Sequence, residues 1–201
     1  MTSPSDTHGS VLLLHGLESA VDDDLVPIGR KAVFLRERYD TITPGLDTRA
    51  AIAHRDHCVA NRTPWMTEPA RVQTAFAAPM ANARAALTDD VRLIVGSSFG
   101  GAVLLKMLHE EPCWTGPCVF LAGAGLKLTH HTTLPPGCQA ILIHGRADDV
   151  VDLEDSRKLA ATGGPGVQLW EVGDGHRLHS VLEDGTLVAA IELLLSRTPT
   201  D

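Results

Sequence analysis

The chain has 201 residues, of which 44% are hydrophobic and 21% are charged, and its formal net charge is −8. This length and composition predict one globular domain, with a core large enough to need neither disulfides nor a structural metal. The negative charge and the 4% aromatic content argue against a nucleic-acid-binding surface, which needs clustered basic side chains and stacking platforms.

The amino terminus carries no basic stretch, and the apolar run at 11–14 is too short for a signal peptide. No stretch approaches the roughly 18 apolar residues of a membrane span. The four cysteines, Cys58, Cys113, Cys118 and Cys138, are irregularly spaced. This spacing favours reduced thiols in a cytoplasmic protein over a disulfide framework.

Apolar runs bounded by Gly, Pro or Asp predict buried parallel strands. The six runs lie at 11–14, 39–43, 91–95, 118–121, 140–143 and 167–172. Helical spacing of apolar residues separates them, with Pro79 predicting a kink or two shorter helices and Gly185 a break in the last helical region. This alternation predicts a three-layer α/β/α sandwich with a mainly parallel sheet.

The strongest chemical motif is Gly96-Ser97-Ser98-Phe99-Gly100, which follows a predicted strand and opens an apolar helix. A nucleophile on a sharp strand-to-helix turn needs small neighbours, and the helix start offers backbone N–H groups to an oxyanion. The motif therefore predicts Ser98 as a nucleophile. The alternative is that the two serines only begin a helix in a glycine-rich turn.

A nucleophilic serine needs a base, and the chain has ten histidines. In a parallel sheet, reactive groups collect after the carboxyl ends of strands. His176, in the loop after the last predicted strand, meets this condition, and His179 is the second choice. His144, at the tip of an earlier strand, is interpreted as a packing or loop-anchoring residue.

The base needs a carboxylate that fixes the imidazole tautomer. Asp148 follows the strand at 140–143 and is the first candidate, while its neighbour Asp149 remains an alternative. The order Ser98, Asp148, His176 is that of α/β-hydrolases, whereas other serine hydrolases use different orders. An oxyanion hole needs two donors, for which the backbone N–H groups of Phe99 and Leu17 are predicted.

The segments HGLES, GSSFGG, HGRADDVV and GDGHRL span nearly the whole chain. With these segments the chain resembles a small α/β-hydrolase, similar to the compact YqiA-type bacterial esterases. The resemblance implies a serine hydrolase with Ser98 as nucleophile, His176 as base, Asp148 as acid, and Leu17 and Phe99 as oxyanion donors. It implies no cofactor. The first antiparallel strands of larger members and a lid domain are not expected, and 45–68 is a candidate small cap.

Other interpretations carry less support. His54, His57 and Cys58 could ligate a metal, but a solvated helix face is the preferred explanation. The acidic run at 22–24 is interpreted as a polar turn. The predicted substrate is a small acyl compound; esters, thioesters, carbon–carbon bonds and perhydrolysis remain open. The alternative function is a catalytically silent hydrolase fold that binds a ligand or partner.

Overall fold

A sheet of six parallel strands forms the centre of the computed structural model, which describes residues 9–17, 19, 27–110 and 113–197. The strands are β1 (Ser10–Leu14), β2 (Thr41–Ile42), β3 (Val91–Ser97), β4 (Cys118–Leu121), β5 (Ala140–Gly145) and β6 (Val167–Val172). Their order is β2-β1-β3-β4-β5-β6, and every neighbouring pair is parallel. The predicted parallel sheet is confirmed.

Helices connect the strands. They are α1 (Arg30–Arg36), α2 (Arg49–Asn61), α3 (Pro69–Ala85), α4 (Phe99–His109), α5 (Gly125–Leu128), α6 (Leu153–Thr162), α7 (Ser180–Glu183) and α8 (Thr186–Leu195), with a 3-10 helix at Trp65–Thr67. None of these described helices is both long and apolar enough to cross a membrane.

The strands are buried on both faces because their side chains alternate between two apolar clusters. One cluster joins Leu12, Ile94 and Phe120 to side chains of α3 and α4. The other joins Val11 and Val95 to α1, α7 and α8. Helices therefore cover both sides of the sheet, and the three-layer α/β/α prediction is confirmed.

The strand order reverses at β1, which has β2 on one side and β3 on the other. The connections leaving β1 and β3 run to opposite faces of the sheet, which opens a crevice at the carboxyl ends of these strands. Ligands of open α/β sheets bind in such a crevice. The loops that carry Leu17 and Ser98 both begin there.

Some local predictions need correction. Pro79 lies inside a single helix, α3, rather than at a break. Pro79 is one of the residues that α3 buries, as are Val72, Phe76 and Met80. Burial of this helix face offsets the backbone hydrogen bond that proline cannot make. Gly185 does separate α7 from α8, with a φ of +81°. Glu18 and the acidic run at 22–24 lie outside the described residues.

The segment 45–68, predicted to lack a strand, contains α2 and the 3-10 helix. The interpretation of its histidine pair as a solvated helix face is wrong in part. His54 and Cys58 are buried, and His54 Nε2 lies 2.8 Å from the Trp65 carbonyl oxygen. Only His57 faces outward, where its ring contacts Glu68.

Candidate active site

Ser98 stands on a strained turn between β3 and α4. Its φ of +52° and ψ of −114° belong to a region that non-glycine residues rarely occupy. Two contacts hold this conformation: the Ser98 N–H donates to the Leu121 carbonyl at 2.9 Å, and the Ser98 carbonyl accepts from Ala124 at 3.0 Å. A strained residue fixed by its neighbours is typical of a functional position.

Two glycines of the motif allow this turn to pack closely. A Cβ atom on Gly100 would lie 2.0 Å from the Leu14 carbonyl oxygen, and one on Gly96 would lie 2.9 Å from the Gly100 oxygen. The first turn of α4 therefore rests directly on the end of β1. This contact brings the amino end of α4, which is the positive end of its dipole, beside the loop that follows β1.

His176 lies between Ser98 and Asp148. Its Nε2 is 3.0 Å from Ser98 Oγ, and its Nδ1 is 2.8 Å from Asp148 Oδ2. An ionised carboxylate only accepts hydrogen bonds, so Nδ1 carries the proton and Nε2 accepts from the Ser98 hydroxyl. The His176 side chain is 19% exposed, so solvent reaches its ring.

The Asp148 side chain is fully buried and surrounded by donors. Its Oδ1 accepts from the backbone N–H groups of Val150 and Val151, each at 2.9 Å. Burial alone would raise the pKa of Asp148, but the hydrogen bonds from Val151, His176 and Val150 outweigh it and lower the pKa. Asp148 is therefore held as a carboxylate beside His176.

A second histidine reaches the same carboxylate. His144 Nε2 lies 3.2 Å from Asp148 Oδ2 and donates to the Val151 carbonyl at 3.0 Å, while Nδ1 lies 2.7 Å from Ser156 Oγ. The predicted anchoring role of His144 is thereby confirmed, but its contact with Asp148 was not predicted. The only sequence feature that could have indicated this contact is the four-residue spacing of His144 and Asp148, in a loop that folds back on β5.

Asp174 fixes the loop that carries His176. Its carboxylate accepts from the N–H groups of Gly175 at 2.8 Å and Ser180 at 2.7 Å, and its carbonyl accepts from Ala147 at 3.0 Å. Those N–H donors, with the Ser180 backbone first, lower the pKa of Asp174. No role was predicted for Asp174 from the sequence.

The loop after β1 is fixed through His15. Its Nδ1 donates to the Gly16 carbonyl at 2.8 Å, and its Nε2 accepts from the Leu46 N–H at 3.1 Å. Burial lowers the pKa of His15, in agreement with a neutral ring. The Leu17 carbonyl accepts from Thr48, and a Cβ on Gly16 would lie 3.4 Å from Ser98 Cβ. The start of this loop is therefore adjacent to Ser98.

The remaining candidates lie apart from this series. Asp149 is exposed, and the carboxylate that contacts His176 belongs to Asp148. His179 lies at the amino end of α7. Among the residues that the structure describes, no three His, Cys, Asp or Glu side chains converge as metal ligands.

No protein-family model matches this chain, and neither does any curated protein. Solved structures do match its fold. One is assigned to the alpha/beta hydrolase superfamily, from Xanthomonas campestris pv. campestris, with a TM-score of 0.59 and 21% identity over 92% of this chain and 98% of that one. Another is dienelactone hydrolase from Anabaena variabilis, with a TM-score of 0.58 and 19% identity over 94% and 86% of the two chains.

An esterase from a Rhodococcus species is also similar, with a TM-score of 0.57 and 16% identity over 96% of this chain and 92% of that one. These matches extend over nearly the whole length of each protein, while their sequence identities are low. They agree with the strand order and with the strand–turn–helix geometry at Ser98. The chain therefore has the α/β-hydrolase fold.

Proposed function

We propose that this protein is a serine hydrolase that cleaves a carboxylic ester, or a related acyl bond, of a small substrate. The observation that carries the proposal is the hydrogen-bonded series from Ser98 Oγ through His176 to the buried Asp148 carboxylate. Its position at the carboxyl ends of parallel strands, where this fold binds ligands, adds support. The esterase and the dienelactone hydrolase among the structural matches are consistent with acyl-bond cleavage.

In the acylation step, Ser98 Oγ attacks the substrate carbonyl carbon while His176 Nε2 takes the hydroxyl proton. The carbonyl π electrons move onto oxygen, which gives a tetrahedral oxyanion. Asp148 stabilises the imidazolium across the 2.8 Å contact to Nδ1. When the intermediate collapses, His176 returns the proton to the departing alkoxide, and an ester links the acyl group to Ser98.

Two backbone N–H groups are proposed to bind the oxyanion. Phe99 is the first residue of α4, so its N–H has no carbonyl partner within the helix. Leu17 follows Gly16, whose close approach to Ser98 brings the loop after β1 to the same side. Removing one such donor typically costs a hundred- to a thousand-fold in rate.

Deacylation repeats the chemistry with water as the nucleophile. His176 takes a proton from water, the resulting hydroxide adds to the acyl carbon, and collapse returns the proton to Ser98 Oγ. The free acid leaves, and the enzyme returns to its starting state. Every proton transfer in this cycle is made by the Nε2 atom of His176.

The proposed substrate is small because little chain is available to build a deep pocket. The 3-10 helix contacts α5, and partly buried side chains of Leu17, Met66 and Leu126 pack on the same apolar cluster. We infer that the segment 45–68 supplies one wall of a short acyl site rather than a separate lid.

The test is hydrolysis of chromogenic p-nitrophenyl esters with acyl chains of two, four, eight and twelve carbons. We expect turnover to be highest for the shortest chains and to fall at least a thousand-fold in Ser98→Ala. Ser97→Ala, a neighbouring change outside the series, is the matched control and should retain activity. No turnover of any ester would favour the ligand-binding alternative, and equal turnover by Ser98→Ala would exclude Ser98 as the nucleophile.

A further inference from the structure

Two buried thiols face each other at the end of the sheet opposite Ser98. Cys118 begins β4, and Cys138 lies just before β5 in the neighbouring chain segment. Their sulfur atoms are 3.9 Å apart, and both belong to the same apolar cluster. Cys113 lies apart from this pair, with its sulfur 3.9 Å from the Met107 carbonyl oxygen.

The two thiols are not equivalent. Cys118 is fully buried, whereas Cys138 is 8% exposed and lies closer to the surface. Hydrogen bonding from the Cys118 thiol also lowers the pKa of Cys138, while the same contact and burial raise that of Cys118. A less buried, more acidic cysteine beside a fully buried second thiol is the arrangement of attacking and resolving sulfurs.

A turn with open space beside it leads into Cys138. Cys138 closes a turn in which its N–H donates to the Pro135 carbonyl at 3.2 Å. Gly137, within that turn, has a φ of +79° and no neighbouring atom within 4 Å of a Cβ position. A disulfide requires the sulfurs to approach from 3.9 Å to about 2.05 Å, and we infer that the open space beside Gly137 leaves room for this approach.

We propose that Cys138 and Cys118 form a reversible, two-electron modification site for which a small peroxide is the oxidant. The Cys138 thiolate attacks one peroxide oxygen, the O–O bond breaks, and a sulfenic acid and hydroxide form. The Cys118 sulfur then attacks the Cys138 sulfur, forming the disulfide and releasing water. In sum, two thiols and hydrogen peroxide give one disulfide and two waters, and a small dithiol reverses the reaction.

The disulfide would link the starts of β4 and β5 and close a loop that contains α5. Because it constrains the unfolded chain, we expect the oxidised form to melt several degrees higher than the reduced form. This inference does not depend on the proposed hydrolase activity, since the pair lies at the amino ends of the strands and Ser98 follows the carboxyl end of β3.

The experiment is peptide mapping of the folded, full-length protein after exposure to hydrogen peroxide. We expect a linked pair of peptides containing Cys118 and Cys138, with the loss of two hydrogen masses, which dithiothreitol restores. Cys58 is the matched control because it is equally buried, at 8% exposure, and its sulfur lies near His54 instead of a second thiol. It should oxidise at least tenfold more slowly.

Two variants separate the roles of the sulfurs. In Cys118→Ser, Cys138 should pass to the sulfinic acid because no resolving thiol is present. In Cys138→Ser, Cys118 should stay reduced. Oxidation of Cys138 in the wild-type protein without a link to Cys118, or oxidation of Cys58 at the same rate as the pair, would overturn the inference.

Discussion

Replacement of Asp148 by asparagine tests the proposed chemistry by changing one carboxylate oxygen to an NH₂ group. Oδ1 accepts from two backbone N–H groups, those of Val150 and Val151, and lies 3.1 Å from His176 Nδ1. Oδ2 makes the shorter contact with His176, at 2.8 Å, and also faces His144. An asparagine will keep its oxygen at the Oδ1 position to satisfy both backbone donors. Its NH₂ group must then face Nδ1 of His176.

This orientation fixes the wrong tautomer of the base. An NH₂ donor requires Nδ1 to accept, so the ring proton moves to Nε2, which then cannot take the proton of Ser98. The loss expected for such a change is about 10⁴-fold in kcat, or about 5.5 kcal/mol of transition-state stabilisation. KM should change little, because the carboxylate does not contact the substrate in the proposed complex.

The assay is steady-state hydrolysis of p-nitrophenyl acetate, with thermal unfolding followed by circular dichroism to show that the variant folds. Asp149→Asn is the matched control, since Asp149 is the exposed neighbour. It should retain activity within about threefold. Retention of more than a tenth of wild-type kcat by a folded Asp148→Asn protein, or an equal loss in Asp149→Asn, would refute the reasoning.

Three further predictions concern stability. Gly100→Ala places a Cβ 2.0 Å from the Leu14 oxygen and should lower the free energy of unfolding by about 3 kcal/mol in urea denaturation, whereas Gly29→Ala, with open space, should be near neutral. Burial lowers the pKa of His15 in the folded protein. As the pH falls below about 6.5, the unfolded chain binds a proton at this histidine more readily than the folded chain does. The free energy of unfolding therefore falls by up to about 1.4 kcal/mol per pH unit. The stability difference between wild type and His15→Gln should therefore shrink between pH 7.5 and 5.5, and a constant difference would contradict this. Burial also lowers the pKa of Lys31 to about 8. Lys31→Met should therefore raise the free energy of unfolding at pH 7 by up to about 3 kcal/mol, and this gain should vanish near pH 10.5. A gain that does not change with pH would show that burial of the lysine charge is not its cause.

The sheet could be predicted from the sequence because buried parallel strands leave a strong local signal. The runs at 118–121 and 167–172 agree with β4 and β6 to the residue. The run at 39–43 was too long, since only Thr41 and Ile42 pair with β1 at the edge of the sheet. Hydrogen bonding at a sheet edge depends on the neighbour, which the sequence pattern does not describe.

The helical segment 49–61 could not be predicted with the same success. Its buried residues, Ala51, His54 and Cys58, are few and include a polar side chain, so no apolar stripe marks the inner face. The burial of His54 follows from its contacts with Trp65, which lies eleven residues away. The pattern of apolar residues within the helix does not indicate this contact, because it forms only when the chain folds back after the helix.

The three side chains that meet at the candidate site were predicted from the sequence, but the contacts that support them were not. Chain order and position after strands were enough to select Ser98, Asp148 and His176, because the carboxyl ends of parallel strands share one edge. The contacts of His144 with Asp148, and of Asp174 with Ser180, depend on how two loops return toward their own strands. These two loops are held by backbone N–H groups. Because nearly every residue has such a group, no residue pattern predicts the contacts.

The most direct test of the account is the site of reaction with a fluorophosphonate, which labels a serine only when a neighbouring base activates it. If His176 activates Ser98, peptide mass spectrometry will find one phosphonyl group per chain, on Ser98. Labelling will be lost in Ser98→Ala and strongly slowed in His176→Ala. Labelling of another residue, or none in folded wild-type protein, would contradict this prediction.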